Sequence, residues 1–368
     1  MPLLWSRFRK MSKETGEMFA ARLNTMFNSS MTNIAIITAV EVGLFEILST
    51  FDKHKTYEEI ADASKLKPRY VKELLGALTM GGIVDIDPTT ESYLLPEHRR
   101  DYFNTKDFKS ICVQSMQLLP KLYMVREEVK TCFPKDGPTG VAQDFYLDFA
   151  RQKSEINCMK FNFKLLSYIE NIEGASKLLE NGAEVIDLAC GAGDSTLLLA
   201  EHFPKSHFIG VDFVSEQLET GRRRAKERNI CNVTFQVQNI EELPKEWDEK
   251  FDFVFCHNVV HDLAHPKKGL SEFHRVQKTS GMGVIMDLNL HTKHSENVHI
   301  NYAVQKYMFS MLYCVPGSMY FEGGEGLGAA WGMEKAMELI QGAGFSVKTQ
   351  TDSDKIIYIC TKDSGSKE

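Results

Sequence analysis

Three histidines, His257, His261 and His265, recur at four-residue steps in the stretch Cys256-His257-Asn258-Val259-Val260-His261-Asp262-Leu263-Ala264-His265-Pro266. Histidine titrates near neutrality, so His261 followed by Asp262 suits general-base removal of a proton from a hydroxyl. On one continuous helix the same spacing would put all three rings on one face as metal ligands. Pro266 and the apolar run that ends at Cys256 argue against such a helix, so no metal is expected. His265 reads as a solvated loop residue, and His257 as a backbone contact to a bound cofactor.

A second group of residues suits a nucleotide. The apolar run Val185-Ile186-Asp187-Leu188 leads into Ala189-Cys190-Gly191-Ala192-Gly193-Asp194 and then the helical stretch Ser195 to His202. Gly191 and Gly193 let the backbone pass close to a ligand where helix amides also point. Asp212 ends the next apolar run, Phe208-Ile209-Gly210-Val211, where a carboxylate takes both hydroxyls of a ribose. A nicotinamide dinucleotide and S-adenosylmethionine both fit this pattern. The dinucleotide fingerprint wants a third glycine, and Thr196 stands in its place.

The elements that must position these residues are also legible. Val185–Leu188, Phe208–Val211, Val233–Val237, Phe251–Phe255 and Val284–Leu288 are short, nearly continuous apolar runs, as in a parallel sheet covered on both faces. Helical stretches alternate with them, which predicts a doubly wound α/β domain. Ser346–Thr351 and Ile356–Thr361, joined by Asp352-Ser353-Asp354-Lys355, read as a closing antiparallel hairpin, making seven strands. An insertion of about forty residues, from His291 to near Trp331, reads as a lid. Its first half is rich in Tyr302, Tyr307, Met308, Phe309, Met311 and Leu312, and its second half is the glycine-rich turn 322–328. Tyr307, Met311 and Trp331 are its candidate substrate contacts.

Ahead of this domain, Met18 to Leu48 carries apolar residues at three- and four-residue steps, the sign of long helices. Thr56 and Glu59 fit a capping box opening a helix to Ser64, and Pro68 suits the start of another that Gly81-Gly82 stops. Ile83 to Leu95 reads as a hairpin, which completes a winged helix. The expected organisation is therefore a winged-helix and dimerisation domain over 1–110, a helical connector over 111–180, and the α/β domain over 181–368 with the lid at about 291–330.

Charge and composition bound the partners. The chain has 368 residues and a net charge of −7, and its first 110 residues carry 15 basic and 15 acidic side chains. Lys65, Lys67, Arg69 and Lys72 mark a would-be recognition helix, but a neutral domain lacks the basic stripe that phosphate neutralisation needs, so nucleic acid is not expected. The eight cysteines include no C-x-x-C pair and read as reduced thiols. The segment Ile34 to Leu48 is too short and too often interrupted to span a bilayer, and the N-terminal stretch has no sustained apolar region before its charges. A cytoplasmic protein is expected, and the apolar helices before Thr56 point to a homodimer.

With the strand, VIDLACGAGD, GVD and the terminal hairpin in place, residues 184–361 resemble a class I S-adenosylmethionine-dependent methyltransferase. The winged helix in front is similar to that of small-molecule O-methyltransferases of the plant and hydroxyindole type. The resemblance implies methyl transfer to a small-molecule acceptor, with S-adenosyl-L-methionine as cofactor. It places Asp187, Gly191 and Gly193 around the methionine moiety, Asp212 on the ribose, Phe213 beside the adenine, and Asn239 with Ile240 at the adenine amine. Ala189 stands where the motif commonly has glycine. His261-Asp262 resembles that family's His-Asp, whose histidine is the base when the acceptor is a hydroxyl. The alternative is a DNA-binding regulator that uses the same fold to sense S-adenosylmethionine.

Overall fold

The structure is a computed structural model and describes residues 14–105, 107–352 and 354–362. The N-terminal stretch before Glu14, the polar tail beyond Lys362 and the hairpin residue Ser353 lie outside the described residues. Two compact units emerge, Met1–Leu119 and Pro120–Glu368. The helices expected to form a separate connector are divided between them.

In the first unit, helix α1 (Gly16–Glu41) is followed by the short α2 (Leu44–Leu48). The single apolar periodicity is cut because Gly43 takes a left-handed conformation with φ +70°. Helix α3 (Tyr57–Ser64) starts on the capping box: Thr56 Oγ1 accepts the Glu59 amide, and the Glu59 carboxylate accepts the Thr56 amide at 2.9 Å. Pro68 opens α4 (Pro68–Met80), Gly81 caps it, and strands β1 (Asp85–Asp87) and β2 (Ser92–Leu94) pair as the wing. Leu44, Phe45, Leu48, Ile60, Leu75 and Leu78 are fully buried and hold this unit together.

The second unit is a seven-stranded sheet. Its strands are β3 (Glu184–Leu188), β4 (His207–Asp212), β5 (Val233–Val237), β6 (Phe251–His257), β7 (Gln277–Leu288), β8 (Phe345–Asp352) and β9 (Lys355–Lys362). They lie in the order β5-β4-β3-β6-β7-β9-β8, parallel through β7, with β9 antiparallel to β7 and β8 to β9. The order reverses beside β3, so the carboxyl ends of β3, β4 and β6 open a crevice at the switch point. Two apolar layers cover the faces of the sheet, one around Phe251, Ile285, Trp331 and Tyr358 and one around Leu165, Phe208, Phe253 and Phe255. Among the described residues no helix is long and apolar enough to cross a membrane.

The turn between β3 and helix α5 (Asp194–His202) depends on one aromatic ring. Gly193 has φ +74°, and a Cβ there would overlap the Phe235 ring. A Cβ at Gly210 on β4 would lie 2.7 Å from that ring, and one at Gly221 would lie 3.0 Å away. Glycines on three elements thus make room for a single side chain of β5. Gly193→Ala should lower unfolding stability by about 2–4 kcal/mol, combining left-handed strain with overpacking. Urea denaturation checks this, and Phe235→Leu in the same chain should recover part of the loss.

Candidate active site

At the turn, Ala189, Gly191 and Gly193 all have positive φ, at 53°, 59° and 74°. Ala189 is a non-glycine residue in the left-handed region, which costs on the order of 1 kcal/mol, and Asn258 after β6 has the same conformation. Such strain gathers at functional sites. Both residues line the cleft, with Asp187, Gly191, Asp212, Phe213, Gln217 and His257. Gly193 is the structural partner of Phe235 and lies beneath the wall.

Asp187 is buried, and its Oδ2 accepts the hydroxyls of Ser195 (2.6 Å) and Thr196 (2.7 Å). The position that lacks the third glycine therefore supplies a bond instead. Burial outweighs these bonds and pushes the Asp187 carboxyl up to about 6. Asp212, at the end of β4, accepts the amides of Gly191 and Val214, each at 2.9 Å, and burial raises its pKa as well. A carboxylate has lone pairs to spare beyond two amides. Phe213 beside it is 52% exposed, an open ring face at the lip of the cleft. Two carboxylates, a bare glycine and a free aromatic face suit a cationic, ribose-bearing cofactor.

The other half of the cleft is built by helix α6 (Leu147–Glu170) and the insertion. Ala150, Lys153, Ser154, Asn157 and Phe161 recur at helical spacing and turn one face of α6 into the cleft. Opposite them, a π-turn at Ser310–Cys314 presents Tyr313 and Cys314; a π-turn shifts side chains off the regular helical phase. Tyr146 and Phe149 pack on Tyr313 with ring centroids 5.0 and 4.9 Å apart. Tyr146, Leu147, Phe161, Leu263 and Tyr313 make a mostly aromatic chamber, with Asp262 on its wall.

The three histidines separate, because β6 ends at His257, a short 3-10 turn holds Val260–Asp262 and a new helix starts at Pro266. His257 lines the cleft edge-on to Phe161 at 4.8 Å, and burial with the nearby Lys355, Lys160 and Lys153 drives its pKa well below the ordinary value. His261 is 3% exposed and sits one layer behind the cleft wall. Its Nδ1 is 2.6 Å from Asp287 Oδ1 and its Nε2 is 3.3 Å from Asp262 Oδ1. Burial favours the neutral ring, but the Asp262 and Asp287 carboxylates prevail and hold the imidazolium well above its ordinary pKa. His265 stays partly exposed, and its ring is engaged as well: Nδ1 meets Glu241 at 2.7 Å and Nε2 meets the Glu322 carbonyl at 3.0 Å.

Donor atoms of His261, Asp262 and Cys314 converge within 4.8 Å, as do those of His291, Glu296 and Glu334. In the first group His261 is already held between the Asp262 and Asp287 carboxylates, at 3.3 and 2.6 Å. In the second, Glu334 is engaged by the His291 ring and the Thr292 amide, both at 2.7 Å.

Several expected contacts do not reach the cleft. Asn239 is exposed and its side chain accepts the Glu241 amide, while Ile240 packs into the core with Leu243 and Trp247. Trp331 is fully buried in that core layer, which corrects its place as a substrate contact: its size and apolarity serve the sheet face. Tyr307 accepts a hydrogen bond from Asn297 at 2.8 Å and stacks edge-on with His294, and Met311 is not on the cleft wall. Sequence reasoning missed Tyr146, Lys153 and Tyr313. The polar residues that interrupt the apolar pattern of α6 at 153, 154 and 157 were the available signal.

Residues 179–344 match the model of a methyltransferase domain, and residues 32–104 that of an Rv2258c-like winged HTH domain. The chain therefore carries a methyltransferase domain of class I fold behind a winged-helix domain. Its cofactor is S-adenosyl-L-methionine. The chain is 35% identical over 116 residues to a ubiquinone/menaquinone biosynthesis C-methyltransferase of Citrifermentans bemidjiense, covering 31% of this chain and 49% of that protein. It therefore spans about half the length of that relative. It is 29% identical over 173 residues to a demethylmenaquinone methyltransferase of Listeria welshimeri, covering 46% and 72%. Among solved structures it resembles an O-methyltransferase family protein from Burkholderia thailandensis (TM-score 0.72, 14% identity, 96% of this chain and 99% of that one). It also resembles human N-acetylserotonin methyltransferase in complex with the cofactor (TM-score 0.66, 15% identity, 95% and 99%). At these identities the likeness is one of fold.

In this methyltransferase Asp187 keeps its proton up to about pH 6, whereas an ordinary carboxyl loses it near 3.8. The cofactor carries a sulfonium and an ammonium, so it favours the ionised carboxylate. Its affinity should rise about tenfold between pH 5 and 7, with proton release near pH 6. Calorimetry in buffers of different ionisation enthalpy measures both, and Asp187→Asn should flatten the dependence.

Proposed function

We propose that this chain transfers the methyl group of S-adenosylmethionine to a hydroxyl of a small aromatic acceptor. The observation that carries the reading is that one cleft contains both halves of the reaction. The glycine turn, Asp187, Asp212 and Phe213 line it together with the aromatic side chains of Tyr146, Phe161 and Tyr313 and with Asp262. The cofactor supplies an activated methyl on a sulfonium, so the chain's own task is to hold an oxygen in line with it and keep water out. Gly191 and Gly193 shape the turn, Asp212 takes the ribose, and Phe213 offers its face to the adenine. Tyr146, Phe161 and Tyr313 enclose the acceptor ring. An oxygen acceptor is in keeping with an O-methyltransferase of the same fold from neocarzinostatin biosynthesis holding 2-hydroxy-5-methyl naphthoic acid (TM-score 0.64, 15% identity, 90% of this chain and 96% of that one).

His261 acts from behind Asp262. Asp287 orients its ring, and its charge steadies the Asp262 carboxylate that faces the chamber. A free base would give a pH limb near the ordinary histidine value; a positioning residue would not. The test is turnover with labelled cofactor over a panel of phenols and naphthols, with the methylated atom read by NMR. His261→Gln should lower kcat about 10- to 100-fold with little change in KM and add or remove no limb near pH 6.5. Loss of a wild-type limb there would make His261 the base. Methylation at ring carbon would replace the oxygen reading.

The first unit is proposed as a dimerisation module in a cytoplasmic protein. Met18, Phe19, Leu23, Met26, Phe27, Met31 and Ile34 follow one face of α1, and each is 45–65% exposed. A second copy of this chain is the proposed cover for that stripe. Of the would-be DNA contacts, Arg69 pairs with Glu73 and Lys72 lies 4.8 Å from the Tyr57 ring, so half of that basic group is engaged within its own unit. Sedimentation should show a dimer at micromolar concentration, and Phe27→Glu should give monomers without changing cofactor affinity.

A further inference from the structure

One charge in the cleft has no counterpart. Lys153 lies on the cleft-facing side of α6 and its ammonium sits 4.5 Å from the centre of the Tyr313 ring. Among the described residues it makes no ion pair or hydrogen bond. Lys164 on the same helix pairs with Asp352 at 2.9 Å, and Lys306 from the insertion pairs with Asp354 at 2.7 Å. The groups around Lys153 do not neutralise it: burial pushes the Tyr313 hydroxyl up to about 12 and the Cys314 thiol up to about 11, so both stay neutral. Burial opposes the ammonium, but the groups around it, the Asp262 and Asp287 carboxylates among them, raise its pKa, and it stays charged. Asp262, on the same wall, is already shared with His261. A cation held on an aromatic face in a partly dry cleft is an anion receptor.

We propose that Lys153 binds the reacting oxygen of the acceptor as an oxyanion, so that the site takes an acidic hydroxyl, a phenol or an enol, and not a neutral alcohol. The inference rests on the hydroxyl reading above and names the chemical class of that hydroxyl. The acceptor's proton is lost to solvent on entry, so no buried base is needed, in keeping with the charged His261 and the neutral, weakly basic His257. The O–C bond forms from an oxyanion lone pair as the S–C bond breaks with its pair to sulfur. One negative and one positive charge vanish together, leaving a neutral ether and a neutral thioether. Lys153 keeps its proton throughout. Because the acceptor's charge disappears in the step, the ammonium acts by selecting the ionised form on binding, and its effect belongs in KM and in the pH profile.

The experiment uses the full chain saturated with S-adenosylhomocysteine and 4-nitrophenol as an absorbance probe, because its ionised and neutral forms absorb differently. Wild type should bind the phenolate, with the apparent pKa of the probe lowered by about one unit, a tenfold shift in its acid constant. Lys153→Met should abolish the shift, and Lys153→Arg should retain it. In turnover with the phenol panel, Lys153→Met should lose about 10- to 100-fold in kcat/KM at neutral pH and recover as the pH passes each phenol's own pKa. Calorimetric titration with S-adenosylmethionine shows whether the Met variant is folded and cofactor-competent. Binding of the neutral probe by wild type, an unshifted pH profile in Lys153→Met, or no binding by any phenol overturns the proposal. Failure of wild type to bind S-adenosylmethionine would instead sink the methyl-transfer reading itself.

Discussion

The ring of Phe235 is the piece on which the cofactor end of the cleft depends. Three glycines, from the turn, from β4 and from the helix after β4, have no side chains because this ring occupies the space. Seated there, it fixes the distance between β3, β4 and β5 at their carboxyl ends. The left-handed turn then delivers the Gly191 amide to Asp212 at 2.9 Å, tying the ends of β3 and β4 together. Packing in interiors is close enough that a displacement of one methyl group would be felt at the turn. The strain at Ala189 and Asn258 is held by the sheet on either side of it.

Charge organises the rest of the cleft. Asp187 and Asp212 are buried carboxylates whose pKa values rise, so they gain from a cation placed nearby. At the acceptor end the balance is reversed, with an unpaired ammonium at Lys153 and an imidazolium at His261 held between two carboxylates. A cationic methyl donor and an anionic acceptor would each meet the charge they lack. In a medium of low dielectric constant such pairing is much stronger than in water. The aromatic walls from Tyr146, Phe161 and Tyr313 lower that dielectric while giving a flat acceptor its shape.

Much of the fold was readable because its signals are local. The capping box at Thr56 and Glu59, Pro68 at a helix start, the five apolar runs and the terminal hairpin each depend on residues a few positions apart, and all appear where expected. Asp187, Gly191, Asp212, Phe213 and His257 reached the cleft wall for the same reason: a strand end and the turn after it are short-range objects. Trp331 shows the limit. Its sequence neighbourhood, glycine-rich and at the end of an insertion, has no mark that distinguishes a cleft wall from a core layer, and burial against the sheet face decided for the core.

The sequence by itself determined the strand order's ingredients, the glycine turn and the chemistry of its flanking carboxylates, because backbone conformation and apolar periodicity follow from near neighbours. Only the tertiary structure decided which way each functional side chain faces. Asp287 is 26 positions from His261 in the chain, but only the pairing of β6 with β7 brings its carboxylate to 2.6 Å from the ring. Lys153 and Tyr313 come from a helix before the sheet and an insertion after it, and only a π-turn and the packing of α6 put ammonium over ring. Charge state depends on desolvation and on partners distant in sequence, and those exist only once the chain is folded.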